Sequence, residues 1–313
     1  MFNIKKEKRM LKIKSASIMA IFFYPVVSIA ADCQKPEVPA FDSKTYYANI
    51  DNTNPVTLKN SLNKIISSNY VKQSYKCVWN MLEEADQDPS NPDNVVLIYS
   101  QQSYPKKSRS GSSIPGNKWN REHLWATSHG FPKQHQYAYT DGHHIVASDQ
   151  KCNALRGDLD FGIGGTLIER CNSSLQKDRT WEPPHENKGD IARKLFYMAV
   201  RYDGDLLSNT PDLILSNNLT SEKTPFLGEL CDLYKWHKID PVDKKEISRN
   251  NVIYSWQGNR NPFIDNPAWA DKIFGNACLI HNRLKTKLTI SIKHFLLGTC
   301  FLSKKVGYTD LLN

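Results

Sequence analysis

The chain has 313 residues and a formal net charge of +9, which taken alone would favour binding to a polyanion. Of its 41 basic and 32 acidic residues, each end (1–30 and 276–313) holds six basic and one acidic, so 31–275 has a net charge near −1. Bulk basicity is therefore excluded as evidence for nucleic-acid binding, and any such surface must be local or use a bound cation.

The first thirty residues have the order of parts found in a secretory signal peptide. Six Lys or Arg residues precede the apolar run ASIMAIFFYPVV, and the small residues of SIAAD follow, with a cleavage point after Ala30. A spanning helix needs roughly 20 apolar residues, whereas this run has about a dozen and contains Pro25. The sequence therefore predicts a signal peptide at 1–30 and an exported protein, periplasmic or extracellular, in preference to a membrane anchor.

Cysteines in an exported chain usually pair. The seven cysteines are Cys33, Cys77, Cys152, Cys171, Cys231, Cys278 and Cys300. No CxxC or other short zinc-type spacing occurs, so a thiolate metal site is not indicated. Cys152 and Cys171 flank the segment after a histidine cluster and are predicted to form a disulfide. The odd number leaves at least one thiol unpaired within a monomer.

The first half of the mature chain predicts two helices and a strand. Apolar residues at helical spacing indicate a helix within 57–70 and a second within 75–93, which proline-containing turns end. The run NVVLIYS (94–100) predicts a short buried strand, and 101–118 predicts a basic loop rich in Gly, Ser and Pro.

Downstream, helix predominates. KGDIARKLFYMAVRYDGD (188–205) predicts an amphipathic helix, and 230–275 predicts further helix with an Asn- and Pro-rich turn at 257–267. The predicted fold class is α+β, mainly α, in a single helical domain over 31–275, followed by an unassigned basic and apolar extension at 276–313. No GxGxxG, P-loop or GxSxG motif occurs, which disfavours nucleotide-cofactor and serine-hydrolase sites.

Five of the nine histidines lie between positions 123 and 144. NREHLW and HHIVAS predict two strands of a hairpin, and SDQKCNALRG predicts a helix capped by Ser148 and ended by Gly157. A strand, strand, helix order brings Glu122, His123 and Asn153 together. Because adjacent strand residues point to opposite faces, Glu122 and His123 can converge only at a bulge or a strand end.

These three side chains form a chemical set. Glu122 and Asn153 offer oxygen atoms, the ligands that Mg²⁺ prefers, and Mg²⁺ keeps several waters when a protein supplies only one or two ligands. Such a cation over a phosphodiester would neutralise charge and lower the pKa of a bound water. His123, with an ordinary pKa of roughly 6.5, could remove a proton from attacking water near neutral pH.

The motifs WNREHLW, SHGF and DGHHIVASDQKCNALRGDLDFG resemble the endonuclease I family of periplasmic and secreted bacterial nucleases. The likeness continues through two later segments and covers roughly residues 55–275. It implies a ββα-metal (His-Me finger) core with Mg²⁺, for which Mn²⁺ or Ca²⁺ could substitute. It also implies that Glu122 and Asn153 hold the metal, that His123 is the general base, and that sequence-nonspecific cleavage of DNA, possibly also RNA, leaves 5′-phosphate ends.

Several further residues are candidates for the site. Some family members hold the phosphate with an arginine from an insertion that this chain lacks, and Arg156 or Arg121 could replace it. For Arg156, a structural salt bridge is an equal alternative to phosphate contact. Lys106 and Lys107 of the basic loop could follow the nucleic-acid backbone, although a solvated loop is the simpler interpretation. Further candidates for supporting the site are Asp141, His143 and His144. We also expect His129 and His135 to be solvated loop residues, and Asn259 and Arg260 to belong to a buried turn.

The family pattern is broken at Gly142, where relatives usually carry leucine, so the second strand is expected to lose an apolar anchor. Two alternatives to an exported Mg²⁺-dependent endonuclease stay open. One is a non-catalytic exported binding protein with a structural zinc, and the other is a nuclease damaged by Gly142 or by the tail. Nucleic acid is the expected partner, with no membrane and no obligate protein partner.

Overall fold

The computed structural model describes residues 33–177 and 179–284. The predicted signal peptide (1–30) and the part of the predicted extension beyond residue 284, with Cys300, lie outside these residues. Within them, no helix has both the length and the apolar character that crossing a membrane requires.

Helices make up much of the described chain. They are α1 (Ser43–Tyr46), α2 (Pro55–Ser67), α3 (Val78–Ala85), α4 (Gln150–Arg156), α5 (Lys188–Arg201), α6 (Leu230–Ile239), α7 (Lys244–Gln257), α8 (Pro262–Asp265) and α9 (268–284). Helix α2 shows why the sequence folds this way. The Asn54 side chain accepts hydrogen bonds from the amides of Val56 and Thr57, Pro55 takes the first turn, and apolar residues at helical spacing are buried.

Helix α5 departs from its predicted amphipathic character. Every residue from Gly189 to Arg201 is buried, because α2, α6 and α8 all pack against the helix. Its cationic side chains are paired: Arg193 with Glu246, and Arg201 with Asp205. Spacing identified the helix, but only tertiary packing decides that both of its faces are covered.

The strands form small separate sheets. They are β1 (Gln87–Asp88), β2 (Asn91–Val96), β3 (Ser103–Pro105), β4 (Trp119–His123), β5 (Ile145–Asp149), β6 (Asp160–Phe161), β7 (Thr166–Ile168), β8 (Ser173–Gln176), β9 (Thr180–Glu182), β10 (Ile214–Leu215) and β11 (Phe226–Leu227). Strands β1–β2–β3 form one sheet, β4–β5 a second, β6–β9–β8–β7 a third and β10–β11 a fourth. Mixed helices and small sheets agree with the predicted α+β class. The strand predicted at 94–100 starts earlier and ends at Val96, and the predicted loop contains β3.

The pair β4–β5 lies between two parts of the core. Trp119, Ile145 and Ala147 pack in one cluster with residues of α3 and α7. Val146, on the other face, belongs to the larger cluster around α5, together with Tyr99. The hairpin is therefore held on both faces, which fixes the positions of the polar residues at its end.

Three disulfides cross-link the described chain: Cys33–Cys77, Cys152–Cys171 and Cys231–Cys278. The second confirms the predicted bridge. The third joins α6 to α9, and α9 continues past Gly275, where the sequence placed the end of the domain.

Gly142 is packed tightly, so the expected loss of an apolar anchor is compensated. A Cβ at this position would lie 2.6 Å from Cε of Met81 and 2.9 Å from Cδ1 of Ile253, so these side chains already fill the space of a larger residue. The backbone is also anchored, because the Gly142 amide donates to Gln257 and its carbonyl accepts from Arg249.

Candidate active site

Strands β4 and β5 run antiparallel in continuous register, with Glu122 opposite Val146 and His123 opposite Ile145. Helix α4 follows directly. Its cap is Asp149, whose carboxylate accepts from the amides of Lys151 and Cys152, and not Ser148 as the sequence predicted. A carboxylate is favourable at this position because the helix N-terminus carries positive partial charge. Gly157 ends α4 as predicted, with a φ of 56°.

Glu122, His123 and Asn153 line one open cavity of about 420 Å³. The other residues that line this cavity, here called the catalytic pocket, are Arg121, Ala126, Thr127, Ser128, Gly157 and Asp158. His123 is the last residue of β4, so the chain leaves the regular strand there. Convergence of two adjacent residues on one pocket therefore follows from the strand end and needs no bulge.

The carboxylate of Glu122 is buried, with one oxygen engaged and one unused. Oε1 accepts from the Tyr99 hydroxyl at 2.7 Å and from the Arg156 guanidinium at 3.2 Å. Oε2 has no hydrogen-bond partner among the residues that the structure describes. Burial raises the pKa of Glu122 to about 7, against the opposing effect of Arg156.

Asn153 also keeps one oxygen unused. Its Nδ2 donates to Oδ1 of Asn120 at 2.9 Å and lies 3.4 Å from the carbonyl oxygen of Arg121. These contacts fix the amide so that, within the described part of the chain, Oδ1 has no donor. Helix α4 presents this residue to the catalytic pocket next to the first strand.

The ring of His123 is fixed by a backbone carbonyl. Nε2 lies 3.0 Å from the carbonyl oxygen of Tyr139, and because a carbonyl can only accept, Nε2 carries the proton. The neutral ring therefore has its lone pair on Nδ1. Burial, with a further contribution from His144, lowers the pKa of His123 to about 3, so the ring is neutral at ordinary pH.

Arg156 does not contact the cavity as the sequence predicted. Its side chain is fully buried and donates to Glu122 Oε1 and to the carbonyls of His123 (2.9 Å) and Leu124 (2.7 Å). Its guanidinium also lies 4.6 Å from the ring centre of Phe161. A guanidinium buried in this way cannot reach a substrate phosphate, which corrects the interpretation of Arg156 as a catalytic, phosphate-contacting residue. The alternative, a structural salt bridge, is the one that the structure shows. Arg156 orients Glu122 and the end of β4.

Of the predicted substrate-binding residues, only Arg121 lines the catalytic pocket. Lys106 and Lys107 lie in a short 3-10 helix and line a separate cavity of about 790 Å³. The structure thus does not bring these lysines to the reactive groups.

Asp141 lies behind the site in a buried network of hydrogen bonds. Its Oδ2 accepts from the hydroxyls of Tyr197 (2.8 Å) and Tyr202 (2.9 Å). Its Oδ1 accepts from Gln257 Nε2 and from the His143 amide, both at 3.0 Å. The nearby His143 and His144 lower the pKa of Asp141 in spite of its burial. The carboxylate joins the start of β5 to α5 and α7.

His143 and His144 are buried, and neither lines the catalytic pocket. His144 Nε2 donates to the Ala138 carbonyl at 2.8 Å, and its ring centre lies 5.5 Å from that of His123. His144 Nδ1 is buried without a partner within the described residues. Burial lowers the pKa of each ring to about 4. Neither ring is therefore positioned to contact a ligand held in the pocket.

Some neighbours of the site had no signal in the sequence. Tyr99 and Tyr139 hold Glu122 and His123 through contacts that only the folded chain creates. The prediction that His129 is a solvated residue is wrong, because it is buried and its Nδ1 donates to the Phe226 carbonyl at 2.6 Å. His135 is exposed as expected. Asn259 and Arg260 are buried in a turn, also as expected.

The oxygen donors of the catalytic pocket suit a particular kind of metal. Across residues 33–177 and 179–284, no three His, Cys, Asp or Glu side chains are grouped so that they could hold a metal ion. The catalytic pocket instead offers one carboxylate oxygen and one amide oxygen. Two oxygen donors next to open solvent fit a hard cation that keeps several waters.

Comparison with known proteins agrees with these features. The sequence model of the family described as Endonuclease I matches residues 55–268. The chain is 46% identical over 237 residues to a protein named "Extracellular ribonuclease" from Bacillus amyloliquefaciens, covering 75% of this chain and 80% of that one. It is 42% identical over 250 residues to the "Extracellular ribonuclease" of Bacillus subtilis (strain 168), covering 80% and 83%.

A more distant relative carries the family's own name. The "Endonuclease-1" of Buchnera aphidicola subsp. Acyrthosiphon pisum (strain APS) is 28% identical over 136 residues, covering 42% of this chain and 47% of that one. The family match spans more than half of the chain and contains all three residues of the candidate site. This chain therefore belongs to the endonuclease I family and is a nuclease.

Proposed function

We propose that this protein is an exported, divalent-metal-dependent endonuclease that hydrolyses phosphodiester bonds of RNA and DNA without sequence specificity. The observation that supports this most is the presence of three polar residues with unused atoms in one open pocket: Glu122 Oε2, Asn153 Oδ1 and His123 Nδ1. Two can hold a cation and the third can accept a proton, which is the minimum set for hydrolysis.

We further propose that β4, β5 and α4 are a ββα-metal (His-Me finger) core. The order of the elements, the antiparallel pairing and the direct start of α4 after β5 support this assignment. The hairpin supplies Glu122 and His123, and the helix supplies Asn153. The proposed nuclease domain begins at residue 31, with a signal peptide before it. Because the Cys231–Cys278 disulfide ties α9 to α6, the domain extends past the predicted end at 275 to include at least Cys278, and the extension follows.

Glu122 and Asn153 are the proposed metal ligands, and Mg²⁺ is the proposed ion, with Mn²⁺ or Ca²⁺ as substitutes. When bound, such an ion neutralises charge on the phosphate and acidifies a coordinated water. Glu122 is prepared for this role because Tyr99 and Arg156 occupy only its Oε1. Asn153 is prepared because Asn120 fixes the orientation of its amide.

His123 is the proposed general base. Its Nε2–H is held by the Tyr139 carbonyl, so Nδ1 can accept a proton from the attacking water. Its lowered pKa keeps the ring unprotonated, and therefore able to accept, over the whole physiological range. Transfer of the water's proton to Nδ1 leaves a hydroxide equivalent that forms a new bond to phosphorus. The P–O3′ bond breaks and the released 3′-oxygen takes a proton from solvent, which yields a 3′-hydroxyl and the proposed 5′-phosphate end.

The remaining candidates act through these residues or at a distance. We propose that Arg156 positions Glu122, and that Asp141, His143 and His144 hold the end of β4 and the start of β5. Contacts made mainly to phosphates carry no sequence information, which accounts for unspecific cutting. The names of the two Bacillus relatives support RNA as a substrate beside DNA, and they and the disulfides support export.

A digestion assay tests the proposal. With Mg²⁺, the purified mature protein should cut both unstructured RNA and plasmid DNA. Its activity should be lost in EDTA and return when Mg²⁺ is restored. Glu122→Ala should lose metal affinity and activity while keeping its circular-dichroism spectrum, and Lys272→Gln, an exposed change on α9, should behave as wild type.

Unchanged cleavage in EDTA would overturn the metal requirement. Retained zinc, loss of folding on chelation and no cleavage of either polymer would instead support the structural-zinc alternative.

A further inference from the structure

Arg121 is a rigidly held cation in the catalytic pocket. Its guanidinium carbon lies 3.4 Å from the ring centre of Tyr75 and 4.1 Å from that of Trp79, and it donates to the Tyr75 carbonyl. Stacking on two rings and one carbonyl bond fix its orientation. It belongs to the same strand as Glu122 and lines the same cavity.

Arg121 differs from the other arginines near the hairpin in having no acidic partner. Arg156 is paired with Glu122 and Arg249 with Asp86, both in buried salt bridges. No ion pair to Arg121 occurs in the described part of the chain, and the charged group that acts on it is another cation, Arg109. A half-buried guanidinium at an open cavity, without a carboxylate, has its charge available for an external anion.

The ring of Trp79 contacts one cation of each cavity. The ring centre of Trp79 lies 4.1 Å from the guanidinium of Arg121 and 5.4 Å from that of Arg109. Arg109 lines the cavity of about 790 Å³ together with Lys106 and Lys107.

The acidic residues of the second cavity are Glu83 and Asp93. Glu83 pairs with Arg109 at 3.3 Å, but both side chains are partly exposed, and such pairs are weak and easily exchanged. Three cations against two carboxylates leave the cavity with a net positive charge. Trp79 thus contacts Arg121 of the catalytic pocket and Arg109, which lines the second cavity together with the two lysines.

We propose that Arg121 binds the phosphate next to the scissile bond and that the substrate's phosphate backbone continues past Trp79 and Arg109 to Lys106 and Lys107. This inference rests on the proposed function and adds a direction for the bound strand. The substrate is a polymer long enough to reach both cavities. The residues proposed for this path are cations, which pair with phosphates, and phosphate contacts carry no sequence information.

A length series tests this path. Cleavage of a dinucleotide and of a 20-nucleotide single strand is measured for wild type, Arg121→Met, Arg121→Lys, the double variant Lys106→Gln/Lys107→Gln, and Lys272→Gln as a matched control. Each is assayed at several salt concentrations, with Mg²⁺ affinity and thermal unfolding measured alongside.

The double variant should raise KM several-fold for the long strand and leave the dinucleotide and kcat unchanged. For this variant, the logarithm of the apparent affinity is plotted against the logarithm of the salt concentration. The magnitude of the slope should fall by about one for each lost phosphate contact. Arg121→Met should lower kcat/KM for both lengths by about 10- to 100-fold, since a charged hydrogen bond is lost. Arg121→Lys should recover part of this loss, because charge returns without the planar fork.

Equal effects of the double variant on both lengths, or an Arg121→Met enzyme with wild-type kcat/KM and salt slope, would overturn the inference. So would a loss in Arg121→Met that is fully explained by weaker Mg²⁺ binding or by unfolding. An inactive or EDTA-insensitive wild type, by contrast, would be a failure of the proposed function itself.

Discussion

Two polar regions at opposite ends of the same histidine-rich segment use their hydrogen-bonding capacity in different ways. Around Asp141, every carboxylate oxygen accepts two bonds, from two tyrosine hydroxyls, an amide side chain and a backbone amide. In the catalytic pocket, Glu122, Asn153 and His123 each keep one polar atom without a partner among the described residues. A buried polar group that is fully bonded stabilises the fold, whereas one left unbonded at an open cavity is available for a ligand.

Replacement of His123 should have the largest effect on activity. His123→Ala should lower kcat by about 10²- to 10⁴-fold, because the proton acceptor is lost while both metal ligands remain. Mg²⁺ affinity and unfolding temperature should change little. Single-turnover cleavage of RNA measures the rate, and His135→Ala, at an exposed position in the loop, is the control. A wild-type rate in His123→Ala would remove the base from the proposed function.

Replacement of Asp141 should show the opposite pattern. Asp141→Asn should lower the free energy of unfolding by about 4 kcal/mol, because the amide keeps only one acceptor oxygen. Two of the four buried donors then lose their acceptor, and each such loss costs roughly 1–3 kcal/mol. The protein that stays folded at low temperature should keep most of its kcat. Urea unfolding followed by tryptophan fluorescence measures the change. A large loss of kcat with unchanged stability would place Asp141 in the reactive region.

The disulfide Cys152–Cys171 should affect both stability and the catalytic pocket, because it fixes helix α4, which carries Asn153. The double variant Cys152→Ser/Cys171→Ser should lose about 3 kcal/mol of stability, as expected for a loop of this size. Its Mg²⁺ affinity should fall as well. Calorimetric titration with Mg²⁺ checks the second effect, and stability loss without any change in affinity would show that α4 is positioned by packing alone.

The smallest effect concerns pH. Since the pKa of Glu122 is raised to about 7, protons compete with Mg²⁺ below pH 7, and apparent affinity should fall up to about tenfold for each pH unit. His123 does not titrate in this window, because its pKa is near 3. Higher Mg²⁺ should therefore restore the rate at pH 6. A rate that stays low at saturating Mg²⁺ would assign the loss to the base.

Ionisation of Glu122 favours Mg²⁺ binding, but it destabilises the metal-free protein. A folded-state pKa above the ordinary value of 4.5 means that the folded chain binds this proton more tightly than the unfolded chain does. The contribution of Glu122 to stability without metal therefore falls as pH rises from about 4.5 to 7. The difference in unfolding free energy between Glu122→Gln and wild type should show this trend in EDTA.

The sequence was sufficient where the cause of a structure is local. The start of α2 follows from Asn54 and Pro55, and the strand, strand, helix order follows from hydrophobic pattern and turn residues. The three residues with unused atoms were found because their chemistry and order form a recognisable set. Adjacent positions 122 and 123 were also correctly expected to need a strand end or a bulge.

The sequence was insufficient where tertiary packing determines whether a residue is buried and which way its side chain points. Nothing local indicates that Arg156 turns inward to Glu122, that His129 is covered, or that α5 is surrounded on all sides. Each depends on residues distant in the chain, such as those that bury α5. The aromatic neighbours of Arg121 lie in a separate helix region, and only the folded chain shows that this cation has two rings and no carboxylate beside it.

The packing at Gly142 links the evolution of three positions. Met81 and Ile253 fill the volume that a side chain on residue 142 would need. A homologue with leucine at the position of Gly142 must then carry a smaller or differently oriented residue at one of the other two. Among homologues, residues at the three positions should change together so that their total side-chain volume stays constant. Exchange of only one of them between homologues should destabilise the fold.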